Sequence, residues 1–199
     1  MKFPYFHLIA SISSAFLLSQ CASAEDRAVL HDSGYLEESP LPKGYPMPGP
    51  FGEITKKSYP EYRAAVTSTE GANRGFWTLF RHIKKEDIEM TAPVEMKMGD
   101  DGKGGLEMQE MAFLYRHTEQ GKTGKDGDKV AVLDLPKVEV LNFAWQGSRS
   151  EKFVKEAKAK LIAEAEKQNL KHKGFRLLGY NSPMVPNDKK THELQLILE

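Results

Sequence analysis

At 199 residues, with 40% apolar and 28% charged side chains, the chain is long enough for one domain with a real core. Lys+Arg and Asp+Glu balance at 28 each, and a formal charge of zero argues against a nucleic-acid partner, which needs a concentrated basic face. No stretch after residue 24 is long or apolar enough to span a membrane as a helix.

Residues 1–24 read as a secretory signal peptide. Lys2 is their only charge, Phe3 to Leu18 is mostly apolar, and Ala22-Ser23-Ala24 is a small-x-small cleavage signal before Glu25. The alternative is a lipoprotein box at Leu18-Ser19-Gln20-Cys21, although Gln20 is bulky where small residues are the rule. Cleavage after Ala24 removes Cys21, the only cysteine, and predicts a secreted or periplasmic chain without thiol or disulfide chemistry. Residues 25–50 then read as a flexible tail. Pro40, Pro42, Pro46, Pro48 and Pro50 alternate with Gly44, Gly49 and charged residues, which precludes helix or central strand. The composition suits a spacer better than a polyproline II ligand for a protein partner.

From Glu53 the elements come in a repeated order. A strand near Glu53 to Lys57, a turn at Tyr59-Pro60 and a β-rich run Tyr62 to Thr67 predict a hairpin. Phe76, Leu79, Phe80 and Ile83 then fall at i, i+3, i+4 and i+7, which predicts a helix with one apolar face. Met90-Thr91-Ala92-Pro93-Val94 leads into strands, with Met111 to Arg116 as partner. Met96 and Met98, alternating with Lys97, mark one strand face. Met90, Met108 and Met111 lie nearby, as gap fillers or as an adaptable pocket wall. A Gly-rich stretch, Thr118 to Lys129, separates this half from the next.

The second half repeats the order. Val130 to Leu133, a turn at Leu135-Pro136 and Val138 to Trp145 form a second predicted hairpin. Phe153, Ala157, Leu161 and Ala165 recur every four residues after a candidate capping box at Ser148-Arg149-Ser150-Glu151. Tyr180-Asn181-Ser182-Pro183-Met184 then repeats the grammar of the first proline motif, and Leu194, Leu196 and Leu198 alternate in a closing strand. This β-β-α-β-β order, met twice, predicts an α+β fold of two pseudo-symmetric halves, with Pro93 and Pro183 in equivalent places and a natural ligand space between halves.

Phe76-Trp77-Thr78-Leu79-Phe80-Arg81-His82-Ile83 followed by Met90-Thr91-Ala92-Pro93-Val94 resembles the first signature of the SOUL haem-binding proteins. Gly179-Tyr180-Asn181-Ser182-Pro183 followed by His192-Glu193-Leu194-Gln195-Leu196 resembles their C-terminal signature, so the likeness covers residues 51–199. It implies a distorted antiparallel β-barrel of two halves, and binding of haem or a related tetrapyrrole in an apolar groove against the first helix, with basic residues meeting the propionates. The family's candidate axial histidine in the first strand is replaced here by Thr55-Lys56-Lys57, and the basic-basic-Asn before its closing Glu by Lys190-Thr191-His192.

A porphyrin needs a broad apolar surface, cations for two carboxylates and, for iron, an axial ligand. The resemblance and the helix pattern together give Arg74, Trp77, Phe80, Arg81 and His82 as cofactor-binding candidates. Trp77 falls on one flank of the apolar stripe and His82 on the other, while Arg74 and Arg81 belong by default to a solvated face. Phe76, Leu79 and Ile83 are core on the same pattern. No His, Cys or carboxylate set has metal-ligand spacing, and no Gly-x-Ser-x-Gly, His-Glu-x-x-His or phosphate-cradling glycine loop occurs. The expectation is a non-catalytic tetrapyrrole-binding module outside the cytoplasm, the alternative an interaction or sensor-like module taking a peptide or another apolar ligand in the same groove.

Overall fold

The computed structural model describes residues 28–68 and 71–199. The predicted signal peptide, residues 1–24, and the alternative Cys21 anchor lie outside the described residues. A two-stranded ribbon, β1 (Val29–Leu30) and β2 (Leu36–Glu37), precedes the main sheet. The main elements are β3 (Ile54–Tyr59), β4 (Tyr62–Thr67), α1 (Ala72–Lys85), β5 (Val94–Asp100), β6 (Leu106–Leu114) and β7 (Gly124–Asp126). They continue with β8 (Val130–Leu135), β9 (Val138–Gln146), α2 (Glu151–Lys167), β10 (His172–Gly179) and β11 (Thr191–Leu198). Among the described residues, nine strands form one antiparallel sheet in the order β3-β9-β11-β10-β5-β6-β4-β8-β7.

Strand alternation sorts the sheet into two unlike faces. Met96, Phe113, Phe143, Leu177, Leu194 and Leu196 point to one side, where Leu79 and Ile83 of α1 and Val154, Ala157, Leu161 and Ala165 of α2 complete the main core. Helix α2 begins at Ser150, whose hydroxyl accepts from the Phe153 amide. The start is thus capped by Ser150 and not by the predicted Ser148–Glu151 box, since Phe153 stands where a box starting at Ser150 would need Glu or Gln. The other face carries Glu95, Asn142, Arg176, Glu193 and Gln195, all buried. Arg176 on central β10 donates to Glu95 (3.0 Å) and Gln195 (2.7 Å), and its guanidinium carbon lies 4.5 Å from the Tyr59 ring and 6.0 Å from that of Tyr62. Tyr59 and Tyr62 belong to strands far apart in the sheet order, so the polar face is the inside of a strong curl.

The expected barrel and hairpins are not what forms. Strand β3 pairs with β9 and β4 with β8, so neither Pro60 nor Pro136 sits in a hairpin, and the end strands β3 and β7 are not paired with each other. The reason is local. Tyr59 to Tyr62 and Leu135 to Val138 are joined by two residues each, which holds strands from distant parts of the sheet within about 11 Å. A proline in each corner supplies no N–H for a rung. The sheet curls without closing.

Exchanging β3 with β8, β4 with β9, β5 with β10 and β6 with β11 turns the order of those eight strands into its own reverse, so every pairing among them is kept. The two proline motifs do not obey that exchange. Pro93 lies between α1 and β5, whereas Pro183 lies between β10 and β11, so their shared grammar does not mark equivalent positions. They are neighbours instead, because Val94 pairs with Gly179 in the central β5–β10 ladder.

Residues 28–50 are not a loose tail. Tyr35 is wholly buried beside Leu178 and Tyr180, and Tyr45 stands edge-on to Tyr59 (4.9 Å) and Tyr62 (5.4 Å). Backbone bonds from Lys43 to the Arg116 carbonyl (2.8 Å) and from Ala92 to the Pro40 carbonyl (3.0 Å) hold the segment down. Proline spacing excludes regular structure but not packing: an extended ribbon still presents its tyrosines inward. The stretch 118–129 likewise contributes β7, paired to β8. Tyr45→Ala should therefore cost about 3 kcal/mol in urea unfolding, as for other buried aromatic truncations; a change under about 0.5 kcal/mol would restore the tail reading.

Candidate functional site

Helix α1 carries the predicted site residues, and its own packing sorts them. Leu79 and Ile83 are buried against β4 and β6, which turns Phe76, Trp77 and Phe80 toward one edge. Phe76 stacks on Phe80 (6.0 Å, 12° between planes) and meets Phe113 edge-on at 5.1 Å. Trp77 stands edge-on to Phe80 at 5.5 Å and stays 55% exposed, a large apolar surface left in water.

Beside these rings runs a groove of ≈ 550 Å³ between α1, β5, the β9–α2 loop and the β10–β11 connection. This is ample room for a small-molecule ligand. Phe76, Trp77, Val94, Met96, Met111 and Pro183 give it apolar walls; Arg149, Lys190, Asn181, Asn187 and His192 supply the polar groups. Among the described residues, no Asp or Glu lines it. Lys190 Nζ donates to Asn187 Oδ1 (3.0 Å), and Arg149 Nη1 approaches the Met96 sulfur (3.1 Å). Arg149 has no carboxylate partner among the described residues, and protein packed around its guanidinium lowers its pKa from the ordinary value, although the residue as a whole remains exposed at the groove lip. The α1 N-terminus, with Ala72 and Asn73 in the same wall, has no side-chain cap and no acidic residue in its first turn. The helix dipole adds positive potential at this end of the groove. An adjoining hollow of ≈ 250 Å³ shares Phe76, Val94 and Pro183 and is closed by Phe80 and Met90.

Of the five predicted residues, the structure brings Trp77 to the groove and Phe80 to the adjoining hollow. Arg74 is exposed and lines neither. Arg81 and His82 lie on the opposite flank of α1, around a separate hollow with Asp126. His82 is 5% exposed and has both ring nitrogens engaged: Nδ1 with Asp126 Oδ2 at 2.6 Å, Nε2 with the Tyr115 hydroxyl at 2.8 Å. It clamps α1 to Tyr115, just past β6, and to β7, and both nitrogens are taken, which corrects its place among the cofactor-binding candidates. His82, Glu86 and Asp126 are close enough to hold a cation, but Lys85 Nζ is already there, 2.6 Å from Asp126 and 3.2 Å from Glu86. That ammonium, then His82, holds the Asp126 carboxyl below its usual range.

Sequence reasoning missed Arg149, Lys190 and His192 as site residues, because each reaches the groove from another element. His192 is the imidazole that the groove wall does contain. Among the described residues its Nδ1 has no hydrogen-bond partner, beneath Gly179, where an added Cβ would come within 4.0 Å of that atom. Burial first, then the positive charge of Arg149, pushes its pKa down from 6.5 to about 4.

An antiparallel sheet with two helices on one face and this cationic, apolar-walled groove beside the first helix defines an α+β domain of the two-helix, curled-sheet class. The chain belongs to the SOUL heme-binding protein family, whose sequence pattern matches residues 51–197. No curated protein sequence matches the chain. Among solved structures, EcmrR in its DNA complex is similar with a TM-score of 0.56 at 13% identity, over 74% of this chain and 57% of that one. The EcmrR C-terminal domain gives 0.54 at 13% identity, over 74% and 97%. A hydrolase from Listeria innocua gives 0.52 at 14% identity, over 76% and 94%. At these identities the likeness is one of fold alone.

The depressed His192 pKa makes stability depend on pH with a definite sign. Between 6.5 and about 4 the unfolded chain carries a proton on this ring that the folded chain does not. Stability should therefore fall as pH drops through that window, by on the order of 3 kcal/mol at most. His192→Gln should flatten this part of the curve in urea titrations at successive pH values. An unchanged slope would assign the loss to other groups.

Proposed function

We propose that the chain is a non-catalytic binder of haem or a related tetrapyrrole, acting outside the cytoplasm in capture, buffering or delivery. The observation that carries this reading is the groove's composition: apolar rings, Arg149 and Lys190, and no carboxylate among the described residues. A flat apolar macrocycle with two carboxylates is complementary to such a wall on both counts. Phe76 and Trp77 would hold the ring, Arg149 and Lys190 the propionates, and His192 is the groove's candidate imidazole for iron. A bound haem supplies redox-active iron; the residues around it bind and orient it. Family membership supports the ligand class. The signal-like residues 1–24 support export, with acylated Cys21 as the anchored alternative. The strand order supports treating residues 54–114 and 130–198 as two related halves. Exposure of Met184 (89%), next to Pro183 of the groove, together with that of Trp77, favours a peptide or another macromolecule as the second reading.

Titration with haemin and with iron-free porphyrin separates these readings. Trp77→Ala should lose about 2 kcal/mol of binding, roughly thirtyfold in Kd, through lost apolar contact. Arg149→Ala should lose no more than about 1 kcal/mol, and added salt should diminish that difference. Arg81→Ala, on the far flank, should bind like wild type. If Trp77→Ala and Phe80→Ala both bind haemin unchanged, or no Soret shift appears at all, the peptide reading takes over.

A further inference from the structure

A second cleft, of ≈ 580 Å³, opens on the inside of the curl, with β4, β5, β6, β8 and β10 among the strands that line it. It shares only Met111 with the α1 groove. Its walls include Val66, Leu106, Leu133, Leu135, Val138 and Ile197, and Leu133 remains 43% exposed in water. The charges around it do not balance. Glu95 is paired with Arg176 (3.0 Å), Asp100 with Lys158 (2.9 Å) and Glu110 with Lys97 (3.4 Å), which accounts for every carboxylate lining the cleft. Lys137 and Lys173 also line it and have no ion-pair partner among the described residues. Arg176, 2% exposed, leaves Nη2 without an acceptor among the described residues. A buried guanidinium with an unused donor is a standing cost unless something accepts from it.

We propose that this cleft is a second ligand site, taking an amphipathic monocarboxylate of fatty-acid type. The apolar chain lies along Leu133, Leu135, Val138 and Ile197, and the carboxylate is drawn in by the surplus cations Lys137 and Lys173, with the unused Nη2 donor of the already paired Arg176 to accept from. The carboxylates of the cleft are already neutralised, so the surplus selects an anion over a cation. The polar floor selects a headgroup over a plain hydrocarbon.

The test uses laurate as probe, with dodecyltrimethylammonium as its cationic counterpart, on the purified chain by calorimetry and amide chemical-shift mapping. Laurate should bind one to one, with shifts at Leu133, Leu135 and Val138, while the ammonium probe binds at least tenfold more weakly. Reversing Lys137→Glu and Lys173→Glu together should weaken laurate about tenfold, the size expected of two exposed charge contacts. Leu133→Asp, at an exposed position that leaves the fold intact, should weaken it similarly. Haemin affinity should not change in either variant, so failure here and failure of the α1 groove are told apart. Laurate shifts confined to Phe76 and Trp77, equal binding of the two probes, or charge reversal without effect would each overturn the proposal.

Discussion

The carboxylate of Glu193 is wholly buried, and much of the rest of the molecule is arranged to make that tolerable. It accepts from Lys57 Nζ (2.6 Å), the Tyr180 hydroxyl (2.7 Å), the Gly49 amide (3.0 Å), Asn142 Nδ2 (3.1 Å), Gln195 Nε2 (3.1 Å) and the Tyr59 hydroxyl (3.2 Å). A charge this deep is stable only when paired and fully hydrogen-bonded. Meeting that demand pins the N-terminal segment, β3, β9 and the start of the β10–β11 connection to one point of β11. Burial and the carboxylate together push the Tyr59 and Tyr180 hydroxyls far above their usual range, so both remain donors. Arg176 and Glu95 form the second buried pair of the same face, with Tyr62 bridging them.

With one sheet face committed to polar contacts and the N-terminal segment, the helices pack on the other, and their placement produces the groove. Helix α1 uses Leu79 and Ile83 for the core, His82 as a clamp on Asp126 and Tyr115, and has Phe76, Trp77 and Phe80 left over. The β9–α2 loop and the β10–β11 connection arrive opposite those rings because β9, β11 and β10 are adjacent in the sheet. Three elements distant in sequence thereby contribute rings, cations and amides to one wall.

The same curl makes the inner cleft. Its strands meet their neighbours at corners that lack a proline N–H, so apolar residues such as Leu133 and Leu135 line an opening instead of a closed barrel interior. The groove and the cleft differ in how their charge arises. In the groove, no described residue supplies a carboxylate. In the cleft they are present but already paired, and the lysines outnumber them.

The helical faces at Leu79/Ile83 and Ala157/Leu161/Ala165, the alternation of Leu194, Leu196 and Leu198, and the place of Trp77 on the flank of its helix stripe were legible in the sequence, because period and side-chain type are local properties. So was the family, through two signatures in order. Strand pairing was not legible: Pro60 and Pro136 read as hairpin turns, since no local signal tells a two-residue corner between distant strands from a turn between neighbours. The packing of Tyr35 and Tyr45 was hidden for the same reason, because prolines report what backbone they exclude and not what side chains they present. Only the tertiary structure decided that His82 is a clamp, with both nitrogens taken by residues more than thirty positions away. It also decided that the cations of the groove are Arg149 and Lys190: a charge becomes a binding group through what faces it, and what faces it is set by long-range strand order.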